Sequence, residues 1–247
     1  MLKPFLAGAG YLLRGLRLVI EPGLRRYVAL PLLINALVFA GLLWLAADQF
    51  GVLVDAILPA LPQWLAWLAG VLWLLFFVAA AVLVFFTFSV IANLIAAPFN
   101  DLLAEAVERR LSGRAPPGGG GLWQAVKGAP GAMLDELRKL GYFIRWALPL
   151  LILFLIPGVN LIAPLVWAVF TAWILALEYA DYPMGNHDLR PDRQRRILGR
   201  QRWLSLGFGT GVMLATLIPL ANFLVMPAAV AGASALWVDR LRSEATT

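Results

Sequence analysis

Cysteine is absent from this chain of 247 residues, and histidine occurs once, as His187. The first absence excludes disulfides, thiolate metal sites and cysteine nucleophiles, and the second argues against zinc enzymes and histidine-based catalysis. A nucleotide-binding P-loop is also missing, because the glycine-rich stretch at 117–123 contains neither the lysine nor the serine or threonine of that motif. We therefore predict that the protein is not an enzyme and holds no metal ion or cofactor.

Charge is scarce, since 14% of the residues are charged and 62% are hydrophobic. An ordinary soluble domain carries about a quarter charged residues and less than half apolar ones. No lysine or arginine occurs between Arg26 and Arg109. These proportions predict an integral membrane protein whose partner is the lipid bilayer, and we expect no nucleic-acid partner.

Long uncharged runs predict two spanning helices, at 27–47 and 63–93. The connection between them carries Asp48 and Asp55 but no base, so the positive-inside rule places it outside and the N-terminus inside. The segment 1–21 has its charged residues on one side of a helix and is otherwise largely apolar, which is typical of a helix in the membrane interface.

A cytoplasmic helical segment is predicted at 100–145, interrupted by a glycine- and proline-rich linker and restarting near Pro130. In its first part, Glu105 and Arg109 could line the inner mouth of a transport path. They could also form the usual pair between neighbouring turns on a helix surface, which is the interpretation we favour.

Two later apolar runs, 146–177 and 203–238, are too long for one crossing and too short for two. As single helices they would measure about 48 and 54 Å, against a hydrocarbon core of about 30 Å. Single crossings would also place the arginine-rich stretch 190–202 outside, against the positive-inside rule. We therefore predict two re-entrant hairpins, although a pair of kinked, closely packed full spans remains an alternative.

The predicted hairpin tips form an internal repeat, "IPGVNLIAP" from Ile156 and "IPLANFLVMP" from Ile218. Proline removes a backbone donor and opposes helix continuation, and asparagine can satisfy backbone groups locally. Opened backbone at that depth is tolerated where it is buried in protein or faces water. The residues expected at the tips are Pro157, Asn160 and Pro164 in the first hairpin, and Pro219, Asn222 and Pro227 in the second.

Two further groups are candidate functional residues. Arg25 and Arg26 open the first spanning helix, where free backbone N–H groups and two guanidinium groups suit an anion. Juxtamembrane arginines also commonly bind lipid phosphates, so that alternative stays open. Glu178 and Asp181 could carry protons, or they could pair with the arginines of 190–202.

Four stretches resemble the CysZ family of bacterial sulfate permeases: "EPGLRRYVALPLLIN", "IAAPFNDLLAEAVERRLSG", "LEYADYPMGNHDL" and "IPLANFLVMPAAVAGASALW". The resemblance implies a multi-pass inner-membrane protein that brings sulfate into the cytoplasm for cysteine biosynthesis. It also implies two long spanning helices and two hemi-penetrating hairpins. A sulfate-binding Gly-Leu-Arg motif would correspond to Gly23, Leu24 and Arg25, with Arg26 adjacent.

The predicted fold class is thus an all-α integral membrane protein with two long transmembrane helices, two re-entrant hairpins and amphipathic interfacial and cytoplasmic helices. The predicted function is a sulfate permease or channel. A non-transporting scaffold or regulator, binding a partner or anionic lipid through its basic cytoplasmic surface, is the alternative. So few spanning segments cannot enclose a pore alone, and we expect a homo-oligomer.

Overall fold

The computed structural model describes residues 1–57, 67–117, 121–218 and 222–245, and the regular elements in these ranges are all helical. The predicted all-α class is therefore confirmed. The elements are α1 (Leu2–Val19), α2 (Arg26–Ile57), α3 (Leu68–Ser112), α4 (Gly121–Leu153), a 3-10 turn (Val159–Leu161), α5 (Ala163–Gly185), α6 (Pro191–Arg200), α7 (Arg202–Thr216), α8 (Asn222–Leu236), a π-helical turn (Trp237–Leu241) and α9 (Arg242–Ala245).

Both long helices extend beyond their predicted ends. α2 continues through two aspartates to Ile57, where we predicted an end at residue 47. α3 continues to Ser112, so the predicted end of the second span at residue 93 falls inside it. The aspartates of α2 are exposed, and an exposed aspartate lowers helix propensity only slightly, which is too little to end a long helix. The predicted start of the second span, at residue 63, lies outside the described residues.

α4 is a continuous helix from Gly121 to Leu153. The predicted restart at Pro130 and the predicted boundary between the segments 100–145 and 146–177 both lie inside it. A change from polar to apolar composition does not interrupt backbone hydrogen bonds, so it marks no end of a helix.

The chain packs into two units, one formed by Met1–Val28 and Asn100–Thr247 and the other by Ala29–Phe99. In the second unit, aromatic side chains join the end of α2 to the beginning of α3. The ring centroid of Phe50 lies 4.5 Å from that of Phe76 and 5.1 Å from that of Trp73.

Helix backbones touch in the first unit, where α1 lies against α7 and α8. A Cβ atom at Gly8 would lie 2.0 Å from the carbonyl oxygen of Leu204, and one at Gly15 would lie 1.9 Å from that of Ala228. Small residues permit this approach between helices in membrane proteins. One face of α1 is therefore buried in protein, while its position in the membrane interface stays a prediction.

Three of the described helical segments are apolar and long enough to cross a bilayer: Arg26–Ala56, Ala163–Gly185 and Leu224–Ala245. They support a multi-pass membrane protein. The third segment is 72% buried inside the protein, against 22% and 28% for the other two, so other helices rather than lipid surround most of it.

Candidate functional site

The turn between α1 and α2 carries the Gly-Leu-Arg motif. Gly23 has a φ of +94°, in a region that glycine enters readily because it lacks a Cβ atom. The carbonyl oxygen of Glu21 accepts hydrogen bonds from the N–H groups of Leu24 (3.1 Å) and Arg25 (3.2 Å). Glycine at position 23 thus allows the tight turn that places the two arginines at the start of α2.

Leu24 and the two arginines have opposite environments. The side chain of Leu24 is buried in the core of the first unit, whereas Arg25 and Arg26 are exposed. Arg26 donates a hydrogen bond to the hydroxyl of Tyr27 at 3.0 Å, with its guanidinium carbon 4.9 Å from the ring centroid. Leu24 therefore anchors the turn, and the charged groups beside it face outward.

Most backbone donors of this turn are already occupied, in contrast to the free N–H groups predicted there. The N–H groups of Leu24, Arg25, Tyr27 and Val28 all donate to backbone carbonyl oxygens. These bonds, most of them to the carbonyl three residues earlier, run through the turn into the first residues of α2 and satisfy groups that a helix start usually leaves open. Anion binding at this turn consequently depends on the guanidinium groups.

A salt bridge absent from our predictions ties the same turn to the end of α3. Arg110 Nε lies 2.6 Å from Glu21 Oε2. The two residues are 89 positions apart, so no local pattern connects them. The pair is partly exposed and contributes little stability, but it holds the end of α3 beside the arginine-bearing turn.

Glu105 and Arg109 adopt the second of the two arrangements considered for them. Arg109 Nη2 lies 3.9 Å from Glu105 Oε2, one helical turn away on α3. This is an ordinary pair on a helix surface. The distance favours that interpretation over an inner mouth.

The first hairpin tip lies between α4 and α5, where the apolar run was predicted to break. Pro157 is in the turn, and the side-chain oxygen of Asn160 accepts a hydrogen bond from the N–H group of Gly158 at 3.2 Å. Pro164 is the second residue of α5, a position that needs no backbone donor. Asparagine thus satisfies the opened backbone locally, as the sequence suggested.

The second hairpin resembles the first only in part. α7 ends at Thr216, close to the predicted break, and α8 begins at Asn222. Pro227, predicted at the tip, instead lies inside α8, which corrects that assignment. It is buried among packed helices, an environment that tolerates a proline within a membrane helix. Pro219 lies outside the described residues.

Asp181 pairs with partners other than the arginines considered for it. Its carboxylate oxygens lie 2.7 Å from Lys139 Nζ, on α4, and 2.5 Å from Gln194 Nε2, on α6. Asp181 therefore joins three helices. Glu178 is exposed on the preceding turn of α5 and forms no hydrogen bond or ion pair with another described residue.

Carboxylates from α3 and α5 lie near Lys139. Burial, reinforced by Asp181 and Glu105, raises the pKa of Asp101 to about 6. Burial lowers the pKa of Lys139, but the bonds to Asp181 and Glu136 outweigh it and leave that pKa raised. Asp101 therefore keeps its proton to a higher pH than an isolated aspartate does.

One glutamate of α3 is buried in the first unit. Glu108 is 1% exposed, and its Oε1 atom lies 2.7 Å from His187 Nε2 and 3.8 Å from Arg242 Nη1. The ring of His187 lies 5.1 Å from that of Trp237. His187 therefore links α3 to the C-terminal helices.

Replacing His187 with alanine should lower the free energy of unfolding by about 3 kcal/mol, because a buried carboxylate loses its nearest partner. Chemical denaturation in detergent measures the change. The same substitution in a Glu108→Gln background should lower the free energy of unfolding much less, because the uncharged glutamine leaves no buried charge without a partner. Equal losses in both backgrounds would show that the contact between Glu108 and His187 does not account for the loss of stability.

Comparison with known proteins covers nearly the whole chain. Residues 11–227 match the family model described as "Sulfate transporter CysZ/Etoposide-induced protein 2.4". A protein named "Sulfate transporter CysZ" from Pseudomonas fluorescens (strain Pf0-1) is 47% identical over 99% of this chain and 98% of its own length. Proteins of the same name are 47% identical in Pseudomonas aeruginosa (strain LESB58), over 95% of this chain and 96% of the relative, and 41% identical in Pectobacterium atrosepticum, over 98% and 88%. The chain therefore belongs to the family of sulfate transporter CysZ and etoposide-induced protein 2.4.

Proposed function

We propose that this chain is a sulfate transporter of the bacterial inner membrane and supplies sulfate for cysteine biosynthesis. The observation that carries the proposal is the identity of 47% with a named sulfate transporter, over almost the full length of both chains. Three segments of the described part of the chain, each long and apolar enough to cross a bilayer, agree with it. Purified protein in liposomes should admit labelled sulfate, and the absence of flux would overturn the proposal.

The first contact with sulfate is assigned to the turn Gly23–Arg26. Guanidinium forks bind tetrahedral oxyanions through paired, charge-assisted hydrogen bonds. The exposure of Arg25 and Arg26 supports this role, as does the anchoring of the turn by buried Leu24. The salt bridge between Glu21 and Arg110 adds a second anchor. A turn fixed at two points keeps both arginines in place without occupying them with an acid.

The path beyond that turn is assigned to the two hairpins, with Asn160 and Asn222 at or near their tips. The length of α7 supports re-entry of the second run, because this helix has 15 residues and is about 22 Å long, less than the hydrocarbon core of about 30 Å. Return of each hairpin to the side from which it entered would also keep the arginine-rich stretch 190–202 inside.

Labelling of single cysteines tests this topology cleanly, because the native chain has none. Ser243→Cys and Gly185→Cys, which follow the two hairpins, should both react with a membrane-impermeant maleimide only from the cytoplasmic side. Gln49→Cys, near the connection predicted outside, is the matched external control. Reaction of Gly185→Cys from outside, with Ser243→Cys reacting from inside, would mean that the hairpin runs cross the membrane.

Energetics restrict the mechanism of uptake. Moving two negative charges inward against an inside-negative potential costs about 4.6 kcal/mol per 100 mV. A passive route therefore needs rapid removal of sulfate inside, or protons must accompany the anion. Asp181 is engaged with Lys139 and Gln194, which favours a structural role for it. Glu178, which forms no hydrogen bond or ion pair with another described residue, is the better candidate of the two proposed proton carriers.

The working unit is proposed to be a homo-oligomer. Two long helices and two re-entrant hairpins provide too few walls for a closed aqueous path. Large apolar side chains around the first tip are exposed, including Leu155 and Leu161, each at 80%. Contacts with lipid and with further copies of the chain would cover such a surface.

A further inference from the structure

A pocket at the beginning of α6 is lined entirely by charged side chains. Its volume is about 380 Å³, and its walls are Asp188, Arg190, Asp192, Arg193 and Arg196. The three arginines are spaced three residues apart, so they project from neighbouring turns on one side of the chain. No residue of the proposed sulfate site at Gly23–Arg26 lines this pocket.

Positive charge predominates in this pocket. Asp192 already pairs with Arg195, which lies outside it. Arg193 donates to the carbonyl oxygen of Ala245 at 2.6 Å, a neutral partner that leaves its charge uncompensated. Arg190 and Arg196 form no ion pair with any other residue in the described ranges. Asp188 is thus the single unengaged acid facing three guanidinium groups.

The pocket is also held rigidly, because the opposite face of α6 is packed into the first unit. Ile197 and Leu198 are buried there, and Gln194 donates hydrogen bonds to Asp181 and to the carbonyl oxygen of Leu189. A rigid support lowers the entropy that the arginines lose when they bind a ligand.

The location of the pocket limits its ligands. α6 begins shortly after the candidate spanning helix that ends at Gly185. The positive-inside rule puts such a basic segment at the cytoplasmic surface, level with anionic lipid headgroups. Sulfate released on that side would reach the same surface.

We propose that this arginine pocket binds a tetrahedral oxyanion group, either the phosphate of an anionic lipid or free sulfate. Both present oxygens that a guanidinium fork engages in pairs. The proposal does not depend on transport by the chain, because a lipid phosphate would occupy the pocket whether or not sulfate is carried.

The test uses the full chain with Arg190→Gln/Arg196→Gln, compared with Arg138→Gln/Arg145→Gln, which removes the same charge from α4. Every protein carries Arg25→Ala/Arg26→Ala, so that the proposed sulfate site contributes nothing. One measurement counts phosphatidylglycerol retained in neutral detergent by native mass spectrometry, with phosphatidylcholine as the neutral comparison. The other measures labelled sulfate by equilibrium dialysis without added lipid.

Loss of two arginine contacts should weaken binding of the true ligand about 30-fold, while the control pair retains it. A loss confined to phosphatidylglycerol identifies a lipid site, and a loss of sulfate binding identifies a site for the free anion. Unchanged binding in both measurements, or an equal loss in the control pair, would overturn the proposal. The substituted arginines are exposed, so an unchanged size-exclusion profile is expected for all proteins.

Discussion

Replacing both Arg25 and Arg26 with alanine is expected to lower sulfate uptake into liposomes by at least about tenfold. Each side chain is exposed beside a turn whose backbone donors are largely occupied, so the guanidinium groups carry most of the attraction for the anion. Hydrogen bonds to charged groups contribute about 1.5–3 kcal/mol each, and losing two of them weakens binding strongly. Initial rates of labelled sulfate entry, at equal protein content, measure the effect.

The matched control is Arg138→Ala/Arg145→Ala, which removes two exposed arginines of α4 and should leave uptake unchanged. The sulfate concentration that gives half-maximal uptake should also rise in the variant without Arg25 and Arg26, because both arginines act in binding the anion. If uptake and saturation stay as in the native protein, the Gly23–Arg26 turn is not the sulfate site. Family membership would be unaffected by that result.

Replacing either Gly8 or Gly15 with alanine should lower the free energy of unfolding by about 3 kcal/mol or more. The added methyl group would lie within 2.0 Å of a backbone oxygen of α7 in the first case and of α8 in the second. Backbone cannot move aside as a flexible side chain can, so α1 would have to shift as a whole. Apparent melting temperature in detergent and the yield of monodisperse protein are the measurements.

Gly10 provides the control on the same helix, because a Cβ atom there would meet nothing within 4 Å. Gly10→Ala should leave stability unchanged or raise it by up to about 1 kcal/mol, since alanine is the better helix former. Equal changes at Gly8 and Gly10 would contradict the close approach of α1 to its neighbours.

Several features of the fold were predictable because they depend on neighbouring residues. The run from residue 27 was long enough for a spanning helix, and α2 covers it. The helices end close to Ile156 and Ile218, where proline removes a donor. The local bond made by Asn160 also follows from short-range chemistry.

Other features escaped prediction because their partners are distant in the sequence. Glu21 and Arg110 are 89 residues apart, and Glu108 and His187 are 79 apart. A surface glutamate and a buried one look alike in a helical pattern, and nothing local shows which of them a tertiary contact will enclose. Pro227 was misplaced for a related reason, because burial among packed helices allows a proline that composition alone would assign to a break.

Composition and the order of apolar runs by themselves determined a helical membrane protein with breaks in its later segments, because lipid solvent and backbone hydrogen bonding act on each segment separately. The resemblance to the CysZ family implied the motif around Gly23, also without coordinates. Tertiary structure alone decided that α1 packs by its glycines, that Asp181 binds Lys139 and Gln194, and that arginines of α6 share one pocket. Those outcomes depend on which helix faces meet, and packing of the whole chain selects the faces.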